Sequence, residues 1–177
     1  MEKFVSWSRE YRTRSHKLLV LILGGILFVF ALPYLMLFAG IAVDAYLDLP
    51  KILARPHNSV LGAILIALGL PYAAWSVWLQ YRIGKGTPVP YVATQKLVIS
   101  GPYKHVRNPM ALGTIISYAG IGLWFNSISF IAIMIPVVFG PLLVFIKLIE
   151  EKELEERFGD QYRDYKKKTP FLIPKIL

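Results

Sequence analysis

The sequence predicts an all-α fold: a multi-pass membrane helix bundle of about four spans with a cytosolic C-terminal amphipathic helix. Three observations carry this. Hydrophobic residues make up 55% of the 177 residues and charged residues 18%, against roughly 25% in soluble domains. The apolar residues gather in uncharged runs of 26, 23 and 37 residues. Lys and Arg stand only outside those runs. Length predicts one domain over 1–177, with N-terminal spans in 1–81 and the chemistry-bearing part in 84–177. The net charge of +9 would suit nucleic acid, but its placement at the ends of apolar runs points to membrane lipids. Without cysteine there is no disulfide, thiolate metal site or thiol catalysis. His16, His57 and His105 lack metal-ligand spacing, so no metal is expected. No Gly-rich phosphate fingerprint follows a strand, so no Rossmann domain is expected.

Residues 1–17 carry five basic residues interleaved with Trp7 and Tyr11, the pattern of an interfacial segment. Their charge, and the length of the run that follows, argue against a cleavable signal peptide. Leu18–Val43 would reach roughly 39 Å as a helix, enough to span with tilt, and Pro33 predicts a kink. Residues 44–58 read as a polar loop in which Asp44 and Asp48 are solvated. Ser59 is the expected N-cap of a second span ending in an aromatic belt of Trp75, Trp78 and Tyr81. Residues 82–100 form a loop, too rich in Gly and Pro around Gly84–Pro90 for helix, with Leu97–Ile99 a candidate extended piece. The uncharged run Met110–Ile146 would measure about 55 Å as one helix, so it predicts a hairpin turning near Asn126-Ser127. From Lys147 a charged amphipathic helix should run to about Tyr165. Eighteen of the twenty basic residues then share one side, which the charge rule makes cytoplasmic, with both termini.

Two constellations carry candidate chemistry. In the first, Gly101-Pro102 and Tyr103 lead into Arg107, Asn108 and Pro109, with Pro109 opening a hydrophobic helix. Free N–H groups and the positive dipole end there suit an anionic ligand group. The plainer alternative is a basic anchor at the membrane edge. In the second, Ile146, Glu150, Leu154, Phe158, Tyr162 and Tyr165 fall on one α-helical face, apolar except for Glu150. Glu151 can pair with Lys147 four residues earlier, whereas Glu150 needs a partner from elsewhere. Arg107 is one candidate and a cationic ligand group another; a helix-end ion pair with Arg107 or Lys104 is the plainer reading. Lys166, Lys167 and Lys168 suit anionic headgroups.

Together these motifs resemble the integral-membrane methyltransferases that include isoprenylcysteine carboxyl methyltransferase and the phospholipid methyltransferases. The shared pattern is Leu97-Val98, Gly101, Tyr103, Arg107-Asn108-Pro109, Glu150-Glu151, Phe158-Gly159, Tyr162, Tyr165 and Pro174, covering about 84–177. The resemblance implies S-adenosylmethionine bound at the cytoplasmic ends of the helices, without a Rossmann fold. It implies that Gln95, Lys96, Leu97, Val98 and Tyr103 line the cofactor pocket and that Asn108, Pro109, Met110 and Ala111 form its helix-start wall. Glu150 would meet the cofactor's amino group, and Arg107 would fork onto a carboxylate of cofactor or acceptor. Asn108 stands where His is usual, in company with a Gly-x-Gly-Thr-Pro loop that Gly84–Pro88 resembles. Ala111 stands where Tyr is usual, and Ile146 where prenylcysteine enzymes place a substrate-facing Arg, leaving Lys147 as the nearest substrate-binding cation.

The resemblance implies methyl transfer to a lipophilic acceptor from the bilayer, either a prenylcysteine carboxylate or phospholipid-like. The rival readings are an NADPH-dependent membrane reductase and a non-catalytic membrane protein of the same fold.

Overall fold

The computed structural model describes residues 13–88 and 92–174. Among these residues there are helices and no strands. We label the helices α1 (Arg14–Tyr46), α2 (His57–Arg82), α3 (Pro109–Phe125), α4 (Phe130–Phe158) and α5 (Asp160–Lys168). Helices α1, α2 and α4 are long and apolar enough to cross a membrane, and α3 is a shorter apolar helix of 17 residues. This is a membrane helix bundle. The hairpin turns at Asn126, which takes a left-handed conformation (φ 60°) that Asn tolerates. Most of the basic N-terminal segment, 1–12, lies outside the described residues, as do 89–91 of the Gly/Pro-rich loop.

The chain forms two compact units. The second comprises Gly25–Pro71 and Gly113–Leu143, and has an apolar core of Met36, Tyr118, Phe130, Ile135 and Phe139. The rings of Tyr118 and Phe139 meet edge-on at 5.2 Å. Within it α2 and α3 approach so closely that a Cβ on Gly69 would lie 2.5 Å from the Gly113 carbonyl, and one on Gly62 2.7 Å from that of Gly120. Small residues permit this approach, which is how apolar helices gain contact where lipid offers no hydrophobic drive.

Proline acts here by rerouting the helix ladder. Ile26–Ala31 is a π turn, so the Leu32 N–H reaches back to the Leu27 carbonyl. The next donor in that register would be Pro33, which has none. The stranded Phe28 carbonyl is met instead by the Tyr118 hydroxyl at 2.7 Å. A second π turn, Phe130–Met134, precedes Pro136 in the same way.

Two expectations change in this unit. Ser59 is not an N-cap: the helix begins at His57, with the Val60 N–H bonded to the Pro56 carbonyl. Asp44 is not a solvated loop residue. It lies in the last turn of α1 and accepts the Ser129 N–H at 2.8 Å, filling an orphan donor at the start of the hairpin's second arm. Asn126 fastens the turn by a two-way bond to the Leu53 backbone, at 3.1 and 2.7 Å.

Candidate functional site

All the candidate site residues fall in the first unit, Met1–Gly24, Tyr72–Leu112 and Val144–Leu177. Its apolar centre is Leu79, Val98 and Tyr103. Residues 97–99 are irregular rather than a strand. The loop before them is stitched to itself: the Gly84 carbonyl accepts the N–H groups of Gln95 at 2.6 Å and Lys96 at 3.2 Å. Gly101–Lys104 is a 3-10 turn opened by Gly101 at φ +58°, where a Cβ would also strike Leu79. The turn buries Pro102 and Tyr103, and Pro109 then begins α3, as the motif requires.

The N–H groups ahead of Pro109 do not stand free for an anion. The C-terminal tail takes them: Arg107 N–H donates to the Pro170 carbonyl at 2.8 Å and Asn108 N–H to that of Phe171 at 3.1 Å. The Asn108 side-chain amide adds a third bond, to the Phe171 carbonyl at 3.0 Å. Arg107 reaches the same segment with Nη1, at 2.5 Å from the Thr169 carbonyl and 3.2 Å from that of Lys166. The Phe171 ring has two cations near it, its centroid 5.7 Å from the Arg107 guanidinium and 5.9 Å from the Lys147 ammonium.

Arg107 also fixes α4, and there the structure corrects the expected partner. Its Nε meets Glu151 Oε1 at 2.7 Å, not Glu150. Glu151 therefore serves Arg107 and Lys166 (3.3 Å) rather than Lys147. The cause is a π turn over Ile146–Glu150, in which the Glu151 N–H bonds the Ile146 carbonyl. An i→i+5 turn carries the face of Ile146 onto Glu151, one residue later than an α register would. Both are buried. The three glutamates then differ. Glu151 pairs with Arg107 and Lys166, Glu153 pairs with Arg157 at 3.2 Å, and half-buried Glu150 makes no hydrogen bond or ion pair with the described residues.

The expected single amphipathic helix to Tyr165 is two helices, because Gly159 turns the chain with φ +56° between α4 and α5. That turn lets α5 fold back. Tyr162 is buried, and the Tyr165 hydroxyl donates to the Tyr103 carbonyl at 2.7 Å. Burial pushes the phenols of Tyr103, Tyr162 and Tyr165 well above their ordinary range, so all three remain protonated donors. Of the lysine run, Lys166 is bound to Glu155 at 2.7 Å and to Glu151, and Lys167 to Asp164 at 3.0 Å, so both face protein acids.

The predicted pocket residues separate by exposure. Val98, Tyr103, Pro109 and Ala111 are buried in packing; Gln95, Leu97, Asn108 and Met110 are half-buried; Lys96 and Lys147 are exposed. Sequence reasoning missed the tail as a partner of Arg107. Its signal was the terminal Pro170 and Pro174, which hold a chain extended.

The profile of the phospholipid methyltransferase family matches residues 57–161, more than half of the chain. The chain belongs to this family. A 96-residue segment is also 30% identical to methanethiol S-methyltransferase 1 of Bradyrhizobium diazoefficiens. That segment covers 54% of this chain and only 30% of that relative's length. By family membership and its three long apolar helices the protein is a helical membrane protein of the phospholipid methyltransferase family. Within the family-matched region lie the loop, the 3-10 turn, Arg107, Asn108 and the three glutamates; the tail that Arg107 binds begins beyond it.

Proposed function

We propose that this methyltransferase uses S-adenosylmethionine to methylate a lipophilic acceptor that enters from the bilayer. The observation that carries the reading is Glu150. Its neighbours Glu151 and Glu153 each hold an arginine in a close ion pair, while Glu150 makes no close ion pair with the described residues and feels Arg157, already paired with Glu153, only at longer range. A half-buried carboxylate of that kind calls for a cation from outside the chain. The cofactor has a sulfonium, an ammonium and a carboxylate, and so carries one net positive charge. Glu150 would hold its amino group, and the loop 95–98 with the start of α3 would hold the remainder.

When bound, the cofactor supplies an electrophilic methyl group. The chain's contribution is alignment and exclusion of water, which hold the acceptor atom about 3–3.5 Å from its target and in line. Arg107 is a positioning residue in this reading. Its Nε and Nη1 are committed to Glu151 and the tail, so it fastens the segments beside Glu150. The acceptor class follows from the same commitments. A carboxylate acceptor needs a cation, and Ile146 is buried and apolar. An amine-bearing lipid or a thiol fits better; the family's phospholipid description and the named thiol relative support these two. Lys147, exposed beside Phe171, would meet a headgroup. We assign the site to the cytoplasmic side because eighteen of the twenty basic residues share its side.

The test is calorimetry in detergent with S-adenosylhomocysteine, alongside thermal shift with that ligand and with NADPH. Stabilisation by the first alone supports the reading, and stabilisation by NADPH alone refutes it. Glu150→Gln should weaken S-adenosylhomocysteine binding about tenfold to a hundredfold with unchanged thermal unfolding of the free protein. Unchanged affinity would remove Glu150 from the site.

A further inference from the structure

The tail segment 169–171 meets the start of α3 through its carbonyls. Thr169 is extended (φ −115°, ψ 125°), as a residue before proline prefers, and so α5 stops at Lys168. The carbonyls that follow fall in turn on one pair of residues. That of Thr169 takes Arg107 Nη1, that of Pro170 takes the Arg107 N–H, and that of Phe171 takes both the N–H and the side-chain amide of Asn108. Four donors thus meet three successive acceptors. Pro109, the first residue of α3, has no N–H to add. The tail therefore brings partial negative charge to the positive end of α3, with no net charge of its own at these atoms.

Arg107 passes this contact onward. Its side chain is only 10% exposed; Nε holds Glu151 while Nη1 holds the tail. If 169–171 let go, Nη1 loses the Thr169 carbonyl, and the N–H groups of Arg107 and Asn108 lose theirs. Buried donors left without acceptors are costly, so release of the tail and loosening of 107–108 are one event. What loosens flanks the acid on which the cofactor reading rests, because Glu151 directly follows Glu150.

Building on that cofactor reading, we infer that 169–171 form a strap whose closure completes the cofactor site, and that Asn108 is the positioning residue that clasps it. Asn108 acts on the cofactor through the tail, since its amide N–H is spent on the Phe171 carbonyl. A histidine at this position does the same work, because a ring N–H also donates to a carbonyl. Cofactor binding and strap closure are then coupled, and the coupling runs both ways.

The experiment is limited trypsin digestion of the full chain in detergent, with cleavage after Lys168 followed by mass spectrometry. Lys168 is exposed but Thr169 is buried, so this bond is cut only when the strap opens. S-adenosylhomocysteine at about ten times its calorimetric dissociation constant should slow the cut about tenfold. Cleavage after exposed Lys51, in the loop between α1 and α2, should keep its rate. Asn108→Leu without ligand should be cut after Lys168 about twofold to tenfold faster than wild type, the effect of one lost hydrogen bond. Asn108→His should restore the wild-type rate. An unchanged rate after Lys168 with bound ligand overturns the inference, and so does equal slowing at Lys51, which is general stabilisation. Faster cleavage with ligand makes the tail a competitor of the cofactor and overturns it as well. All three leave the cofactor reading standing, because the ligand has bound; failure of S-adenosylhomocysteine to bind overturns both. Asn108→Leu cut no faster than wild type, or Asn108→His cut as fast as Asn108→Leu, removes Asn108 as the clasp. The wild-type comparison decides the strap even if a variant does not fold.

Discussion

The two units are held together by different physics. In the second, close backbone approach at Gly62, Gly69, Gly113 and Gly120 does most of the work, with a few polar contacts at the turn and one at Phe28. In the first, cohesion comes from charge and hydrogen bonds: Arg107 joins Glu151, Lys166 and Thr169, and two tyrosines roof the approach to α3. Dispersion and close packing tolerate lipid on the outside, because no group requires water. A buried ionic network tolerates a ligand's charge but fails when one member is lost. The chemistry-bearing residues all sit in the second kind of setting.

This contrast predicts an order of damage. Glu151→Ala leaves Arg107 buried without its acid, and should cost about 3–5 kcal/mol or prevent folding, read as thermal unfolding in detergent. Gly69→Ala puts a Cβ 2.5 Å from the Gly113 carbonyl and should cost about 1–3 kcal/mol in the same assay. If Gly69→Ala proves the more harmful, the contrast between the units is wrong. Tyr118→Phe strands the Phe28 carbonyl, and membrane hydrogen bonds of this kind average about 0.6 kcal/mol. The smallest effect concerns Lys166, whose ammonium is held above its ordinary value of 10.5 by the Glu155 carboxylate, then by Glu151. A raised folded-state pKa stabilises fully below 10.5 and is lost as pH rises through the shifted value, so stability should decline only in strongly alkaline solution. Lys166→Met should flatten that alkaline decline by removing at neutral pH the small stability the wild type loses only on alkalinisation.

Much of the fold was legible. Uncharged runs have a length, and length against bilayer thickness leaves few choices; thus the turn at Asn126 followed from counting, and the helix start at Pro109 from proline's fit to a first turn. The register of α4 was not legible. Reading 146–165 as an unbroken α-helix put Glu150 on the face toward Arg107, and the π turn moved Glu151 there. Sequence periodicity assumes a constant twist and cannot register one extra residue in a turn. Asp44 was misread for a related reason: a polar residue at a helix end looks the same whether water or a distant N–H completes it.

What the sequence determined alone is local or additive: the apolar runs, the hairpin between two of them, and the residues from which a site can be drawn. Each depends on neighbours within a few turns or on simple totals. Tertiary structure decided which glutamate is paired and which N–H groups the tail consumes. These are properties of pairs far apart in the chain, such as 107 with 151 and 169, and 108 with 171. Only packing brings such pairs within the 3 Å or so at which a hydrogen bond forms.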